Sequence, residues 1–183
     1  SPNWTIAQRP YTRDGEEFLT KIIDSLEKGN EAIVYDGSNP VTFTEEQLQR
    51  IASLVVEYPL YAFNVSAEDN FSQLFSYISE DKRTQVVGAV IGDFTLPAGF
   101  DQVRTVMADM SDHHYNGADI VTELALTLSQ AVEELENYDN FTAFAHDFIV
   151  RFQTDTKFFM EIAKLRAFRL LWETLADSYG LTD

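Results

Sequence analysis

The sequence contains no cysteine and few basic side chains. The lack of cysteine excludes a disulfide framework, a thiolate nucleophile and a cysteine-ligated metal centre, and it suggests a reducing compartment. Only 13 Lys and Arg residues stand against 30 Asp and Glu residues, which gives a formal charge of −17. Such a charge repels phosphate backbones and anionic lipid headgroups. We therefore expect neither nucleic acid nor a membrane surface as a partner.

Long apolar runs are missing as well. No run approaches the ~20 residues that a bilayer-spanning helix needs, and the N-terminus lacks a basic region followed by an apolar one. The sequence also lacks the glycine spacing of phosphate-binding loops and the serine context of a nucleophile elbow. We expect a cytoplasmic protein that is neither a P-loop nucleotide-binding protein nor a serine hydrolase.

The residues that are present predict a packed α/β protein. A chain of 183 residues with 14 Phe and 8 Tyr is long and apolar enough to bury a core without disulfides. Short apolar runs, which predict strands, alternate with stretches of helical periodicity. The predicted strands are residues 32–36, 60–65, 86–91, 103–109 and 148–153, and the predicted helices are 14–29, 44–55, 71–78, 116–135 and 156–179.

This alternation is typical of parallel βαβ units. Five strands are fewer than the eight of a closed barrel, and the stretch between the third and fourth strands has no helical period. We therefore predict a (β/α)8 TIM-type barrel or an incomplete portion of one, and the alternative is an open parallel sheet. No repeat or linker marks a boundary, so residues 1–183 are interpreted as a single α/β domain.

One polar segment follows a predicted strand and precedes a predicted helix, where α/β proteins place their sites. In DMSDHHYNGAD, residues 109–119, His113 and His114 are candidates for a general acid or base or for a metal ligand. Because His113 and His114 are adjacent, their side chains point in different directions, and metal-binding spacings such as HExxH are absent. The alternative is a solvated loop whose polar residues cap the helix.

The last predicted helix combines an apolar stripe with basic residues. Arg166 and Arg169 are helical neighbours that could hold an anionic group such as a phosphate, or they could pair with acids such as Glu161. We favour the pairing for both, and likewise for Lys164. The predicted buried stripe, important for stability, is Phe158, Ile162, Leu165, Phe168 and Trp172.

Three segments of the sequence resemble the methylmalonyl-CoA mutase family. FFMEIAKLRAFRLLW, residues 158–172, is similar to the helix that follows a barrel strand in these proteins. Residues 116–135 resemble the family's Gly-Ala followed by Glu-Leu-Ala, and WTIAQR, residues 4–9, resembles its Trp-x-Ile/Met-Arg-Gln. Because the three matches lie in the family's order, the chain is most similar to the substrate-barrel part of the small, non-catalytic subunit.

The resemblance implies a role in the adenosylcobalamin-dependent interconversion of methylmalonyl-CoA and succinyl-CoA. In this family a separate C-terminal domain binds cobalamin through Asp-x-His-x-x-Gly, and we expect that domain to be absent from this chain. We therefore expect neither adenosylcobalamin nor a metal to be bound by the chain alone. The implied partners are a catalytic mutase subunit, giving a heterodimer, and an acyl-CoA substrate.

The resemblance also implies site residues. His114, rather than His113, occupies the region of the family's catalytic histidine, although its spacing to Gly117 is more similar to the small subunit. Thr5 and Gln8 are implied to bind substrate. The arginine that lines the CoA tunnel in catalytic barrels is replaced by Ala7. We therefore expect the chain alone to be inactive.

Two other interpretations remain open at this point. The chain could be a stand-alone acidic α/β interaction module that binds neither CoA nor cobalamin. It could also be the substrate-binding part of an active mutase whose remaining domains are missing from this sequence.

Overall fold

A computed structural model describes residues 4–181, and the chain divides into two compact units. Unit 1 ends at Thr105, and unit 2 begins at Val106. Unit 1 contains β1 (Ala7–Gln8), α1 (Gly15–Glu27), β2 (Ala32–Asp36), α2 (Glu45–Glu57), β3 (Leu60–Ser66), a 3-10 helix (Asn70–Tyr77), α3 (Glu80–Arg83), β4 (Gly88–Asp93) and β5 (Val103–Arg104). Unit 2 contains β6 (Val106–Asp109), α4 (Ser111–Tyr115), α5 (Ile120–Leu135), α6 (Phe141–Asp147), β7 (Phe148–Arg151) and α7 (Phe158–Ser178).

The sheet of unit 1 is open and parallel. Its strand order is β1-β2-β3-β4-β5, so strands that follow one another along the chain are also neighbours in the sheet. All five residues of β2 are buried, as expected for a strand covered on both faces. The predicted parallel α/β arrangement is confirmed. In the described part of the chain the strands do not close a barrel, and the arrangement is compatible with an incomplete TIM-type barrel.

The helices of unit 1 begin where the sequence provides caps. The Asp14 side chain accepts a hydrogen bond from the backbone N–H of Glu17, and Thr44 forms a reciprocal capping box with Gln47. After α1 the chain turns at Gly29, whose φ of 100° lies in the region that glycine adopts without strain. These local signals explain why the first two predicted helices are confirmed.

Aromatic and aliphatic side chains fill the core of unit 1. The ring of Tyr35 stacks on that of Phe71 with a centroid separation of 3.9 Å, and Phe18 meets Tyr35 edge-on at 5.8 Å. Leu74 and Phe75, both from the 3-10 helix, are fully buried beside them. The segment predicted as a helix over residues 71–78 is therefore buried as expected but winds more tightly than an α-helix.

Two predicted elements have different boundaries in the structure. The predicted strand at residues 103–109 is two short strands, β5 and β6, which belong to different sheets. The predicted helix at residues 116–135 starts only at Ile120, because Gly117 adopts a φ of 87° and the side chain of Asp119 caps the backbone N–H of Thr122. The sequence thus contained the correct start signal, Asp119, which is the fourth residue of the predicted range.

Unit 2 has a two-stranded parallel sheet and an aromatic core. β6 pairs with β7 in register from Val106 with Phe148 to Asp109 with Arg151. The ring of Trp172 on α7 stacks on Phe148 with a centroid separation of 5.5 Å. The side chain of Asn140 caps α6, a helix that the sequence analysis missed. No helix among residues 4–181 is long and apolar enough to cross a membrane.

The buried face of α7 differs from the predicted stripe. The prediction that Phe158 is buried is wrong, since 66% of its surface is exposed, whereas Ile162, Leu165 and Trp172 are half-buried. The fully buried side chain of this helix is instead Lys164. The stripe that faces the core is displaced by one residue near the start of the helix, so it includes charged side chains.

Candidate functional site

A polar cluster lies beyond the carboxyl ends of β6 and β7 in unit 2. The chain leaves β6 into α4, which carries His114, and leaves β7 toward Gln153. Glu123 lies in the first turn of α5, and Lys164 lies in the second turn of α7. The carboxyl ends of parallel strands are the usual position of sites in α/β proteins.

Lys164 is the centre of this cluster, and its side chain is fully buried. Its Nζ donates to Glu123 Oε2 at 3.0 Å and to the backbone oxygen of Gln153 at 2.7 Å. Glu161 Oε2 lies 2.7 Å from Nζ without the alignment of a hydrogen bond, so this contact is an ion pair. Burial lowers the pKa of Lys164, but its contacts with the two carboxylates outweigh burial and raise the pKa above its ordinary value.

Glu123 connects Lys164 to His114. Only 1% of the Glu123 surface is exposed, and its two carboxyl oxygens contact different partners. Oε2 accepts from Lys164, while Oε1 lies 2.8 Å from Nδ1 of His114, whose side chain is 21% exposed. A buried carboxylate is costly unless it is paired and hydrogen-bonded, and both requirements are met here.

A second set of hydrogen bonds ties this cluster to the strand ends. The Gln153 Nε2 donates to Ser111 Oγ at 2.8 Å, and Ser111 Oγ donates to Asp109 Oδ1 at 2.5 Å. Arg151 at the end of β7 lies 3.5 Å from Asp109 at the end of β6. Since Gln153 also accepts from Lys164, the position of the buried lysine is coupled to both strands.

A cleft of about 320 Å³ opens beside His114. Besides His114, it is lined by acidic side chains, among them Asp119, Asp155 and Glu161, and by one lysine, Lys157. Hydrogen bonds from the backbone and side chain of Thr156 lower the pKa of Asp155, as those of Thr122 do for Asp119, so both remain charged. The lining therefore disfavours an anionic ligand such as a phosphate.

The predicted substrate-binding residues Thr5 and Gln8 belong to unit 1, and both are exposed. Gln8 lines an open cleft of about 640 Å³ together with Arg9, Lys21 and Lys28. Lys21 pairs with a neighbouring acid of α1, Glu17, at 2.9 Å. The roles of Thr5 and Gln8 stay predictions.

A second polar group lies at the carboxyl ends of β2 and β3. Arg9 lies 2.5 Å from the buried carboxylate of Asp36, and the side chain of Asn64 donates to Asp36 at 2.8 Å. Asn64 has a φ of 54°, uncommon for a residue other than glycine. Burial raises the pKa of Asp36, but hydrogen bonds from Asn64 and Ser38 and the charge of Arg9 outweigh it and hold the pKa below its ordinary value.

The structure brings together residues that the sequence analysis had treated separately. His114 was predicted as a site residue, while Glu123 was noted only within the family-like segment and Lys164 was assigned to a polar helix face. Extending the stripe of Phe168 and Trp172 back by one turn reaches Lys164, which is the signal that was missed. The predicted pairing with acids is confirmed for Lys164, which lies 2.7 Å from Glu161, whereas in the described ranges no ion pair involves Arg166 or Arg169.

The comparison with known families matches the part of the chain that contains this cluster. The family model for methylmalonyl-CoA mutase matches residues 91–183, just over half of the sequence. The chain therefore belongs to the methylmalonyl-CoA mutase family. The matched region contains all of unit 2, including His114, Glu123 and Lys164. No curated protein matches the chain.

The cobalamin-binding spacing Asp-x-His-x-x-Gly occurs once in the sequence, in DHHYNG at residues 112–117. This segment overlaps α4 and lies inside the matched mutase region rather than in a separate domain. Here His114 Nδ1 contacts Glu123 of α5, and the open cleft of about 320 Å³ beside it is lined mainly by carboxylates and short side chains. The segment is therefore placed differently from the family's cobalamin-binding domain. Within residues 4–181, no group of three His, Asp or Glu side chains could hold a metal ion.

Proposed function

We propose that this chain is a barrel-forming segment of the small, non-catalytic subunit of an adenosylcobalamin-dependent methylmalonyl-CoA mutase. In this role it supports a catalytic partner subunit, as a heterodimer in the cytoplasm, in the interconversion of methylmalonyl-CoA and succinyl-CoA. The cofactor is held elsewhere in the complex, because the single Asp-x-His-x-x-Gly spacing of this chain lies inside the matched mutase region rather than in a separate domain.

The observation that carries this proposal is the match of residues 91–183 to the mutase family together with the buried cluster inside that region. Glu123 and Lys164 come from the two helices whose sequences most resemble the family. They meet beyond the carboxyl ends of two parallel strands, which is where barrel enzymes build their sites. Ala7 supports a non-catalytic role for this chain. By the resemblance, catalytic barrels have at this position an arginine that lines the CoA tunnel.

Two titrations on the purified chain test this proposal. Adenosylcobalamin added to the chain and followed by visible absorbance should show no saturable binding at micromolar concentration. Methylmalonyl-CoA incubated with the chain and adenosylcobalamin should yield no succinyl-CoA. Either saturable binding or turnover by the chain alone would overturn the non-catalytic role.

The supporting role itself needs a partner in the assay. When a catalytic mutase subunit is mixed with the chain, sedimentation should show a one-to-one complex, and the melting temperature of that subunit should rise. An acidic carrier protein of similar size is the control, because it matches the charge but lacks the mutase segments. A catalytic subunit that neither binds nor gains stability would contradict the proposal.

A further inference from the structure

The hydrogen bonds of Glu123 restrict the protonation of the neighbouring histidine. One carboxyl oxygen of Glu123 accepts from the ammonium of Lys164, and the other lies 2.8 Å from Nδ1 of His114. An ionised carboxylate can only accept hydrogen bonds, whereas a neutral imidazole carries its proton on one nitrogen and offers a lone pair on the other. The proton of neutral His114 must then reside on Nδ1.

We propose that Glu123, held by Lys164, is a positioning residue that fixes the Nδ1–H tautomer of His114 and leaves the Nε2 lone pair for a ligand in the cleft. In a protein, the hydrogen bond that one ring nitrogen of a histidine makes decides whether the other nitrogen is protonated. Here that bond is made by a carboxylate that has almost no exposed surface and is fixed by a buried cation, so the ring has one preferred orientation.

The position of His114 argues against a purely structural role for this bond. The side chain is partly exposed, and it lines the cleft that also contains Asp155 and Glu161. A neutral Nε2 accepts a hydrogen bond, and the acidic lining repels anions. The group that meets Nε2 is therefore a hydrogen-bond donor without negative charge, such as an amide N–H or a hydroxyl. This ligand class rests on the proposed function, whereas the tautomer does not.

The tautomer can be observed directly in the wild-type chain. Long-range proton–nitrogen correlation spectra of the uniformly 15N-labelled protein distinguish protonated from unprotonated imidazole nitrogens. The measurement is made in alkaline buffer, at a pH above which the imidazole signals no longer change, so that the spectra describe the neutral ring. The variant His114→Gln assigns the signals among the three histidines. We expect a protonated Nδ1 and an unprotonated Nε2 for His114, and a protonated Nε2 would overturn the proposal.

The substitution Glu123→Gln tests the role of the carboxylate. Its amide has the same shape but can donate as well as accept, so the Nδ1–H signal of His114 should be lost or mixed with that of the other tautomer. The control is Glu133→Gln, an exposed glutamate on the same helix, which should leave the spectrum unchanged. An unchanged His114 tautomer in Glu123→Gln would overturn the positioning role. If that variant does not fold, the wild-type spectrum still decides.

The two proposals fail in different ways. The spectra use the chain alone without substrate or cofactor, so an Nε2–H tautomer would remove the positioning role and leave the mutase assignment intact. Turnover by the isolated chain would remove the non-catalytic role and leave the tautomer intact.

Discussion

The two units of this chain bury different kinds of side chain. Unit 1 surrounds a five-stranded sheet with apolar side chains, such as the stacked pair Tyr35 and Phe71. Unit 2 has a smaller aromatic core and buries a lysine between two glutamates. Replacing a buried ion pair by apolar residues is often neutral or stabilising, so stability alone does not explain the cluster of unit 2. Unit 2 is therefore the part of the chain in which charged side chains in a fixed arrangement occupy buried positions that apolar side chains could fill.

The polar residues of unit 1 sharpen this contrast. Asp36 is buried, but Arg9, its cationic partner, is one-third exposed at the edge of the sheet. Water can therefore reach one member of that pair. In unit 2 both Lys164 and Glu123 are removed from water, which makes the loss of either charge more costly.

The largest effect should come from removing the buried cation in unit 2. The substitution Lys164→Met leaves Glu123 and Glu161 without their cation, and breaking a buried pair in this way costs about 3–5 kcal/mol. Urea unfolding followed by the fluorescence of Trp172 measures this loss. The control is Lys157→Met, an exposed lysine at the start of the same helix, which should change the unfolding free energy little.

The same pair predicts a dependence on alkaline pH. Because the fold raises the pKa of Lys164, its stabilisation is fully present below the unfolded value, about 10.4, and is lost as pH rises through the folded value. The difference in unfolding free energy between wild type and Lys164→Met should be constant from pH 7 to 10 and shrink above that. A difference that already falls between pH 7 and 9 would contradict this assignment.

An apolar truncation in unit 1 should have a comparable effect without pH dependence. The substitution Leu74→Ala removes a fully buried side chain and leaves a cavity, at a cost of about 2–5 kcal/mol. The contrasting variant is Phe158→Ala, whose ring is mostly exposed, and it should cost under about 1 kcal/mol. If Phe158→Ala were as costly as Leu74→Ala, the stripe predicted from the sequence would be correct and the described burial of α7 would be wrong.

A smaller effect is expected for the partly exposed pair of unit 1. At neutral pH, Asp36→Asn should cost about 1.5–3 kcal/mol, the usual contribution of hydrogen bonds to a charged group. The fold lowers the pKa of Asp36, so its stabilisation is present above the unfolded value, about 3.9, and is lost as pH falls through the folded value. The difference in unfolding free energy between wild type and Asp36→Asn should therefore be smaller at pH 3 than at pH 7. An equal difference at both pH values, or a loss as large for the exposed Asp24→Asn, would contradict it.

The smallest effect concerns the basic residues on the exposed side of α7. Arg166→Gln should change the unfolding free energy by under about 1 kcal/mol, since Arg166 is exposed. Calorimetric titration of CoA into wild type and this variant should also give the same result. A clear loss of CoA binding confined to Arg166→Gln would identify Arg166 as a phosphate ligand.

Much of the fold could be predicted because its signals are local. Caps at Asp14 and Thr44 marked the starts of the first two helices, and apolar runs marked β2, β3 and β7, whereas the cap at Asp119 was passed over. The two residues of β1 carry no apolar run, so their pairing with β2 depends on the sheet itself. The division of residues 103–109 between two sheets is likewise a property of tertiary pairing and leaves no local pattern.

The candidate site could be predicted only in part. His114 stood out because histidine after a strand is a recognisable pattern. Glu123 and Lys164 were ordinary helix residues by composition, and only their placement on the buried faces of α5 and α7 reveals that they meet. Helical periodicity favours apolar residues on a buried face, so it assigned Lys164 to the surface and Phe158 to the core. A charged pair that replaces part of an apolar stripe is the feature that such patterns misplace.

The most direct test of the account is a double-mutant cycle between Glu123 and Lys164. The free energy of unfolding is measured for wild type, Glu123→Gln, Lys164→Met and the double variant. If the pair organises unit 2, the double variant should be no less stable than Lys164→Met alone, which gives a coupling energy of about 1–3 kcal/mol between the two positions. Effects that simply add to within about 0.5 kcal/mol would show that the two residues act independently, and they would contradict the buried pair as the basis of the site.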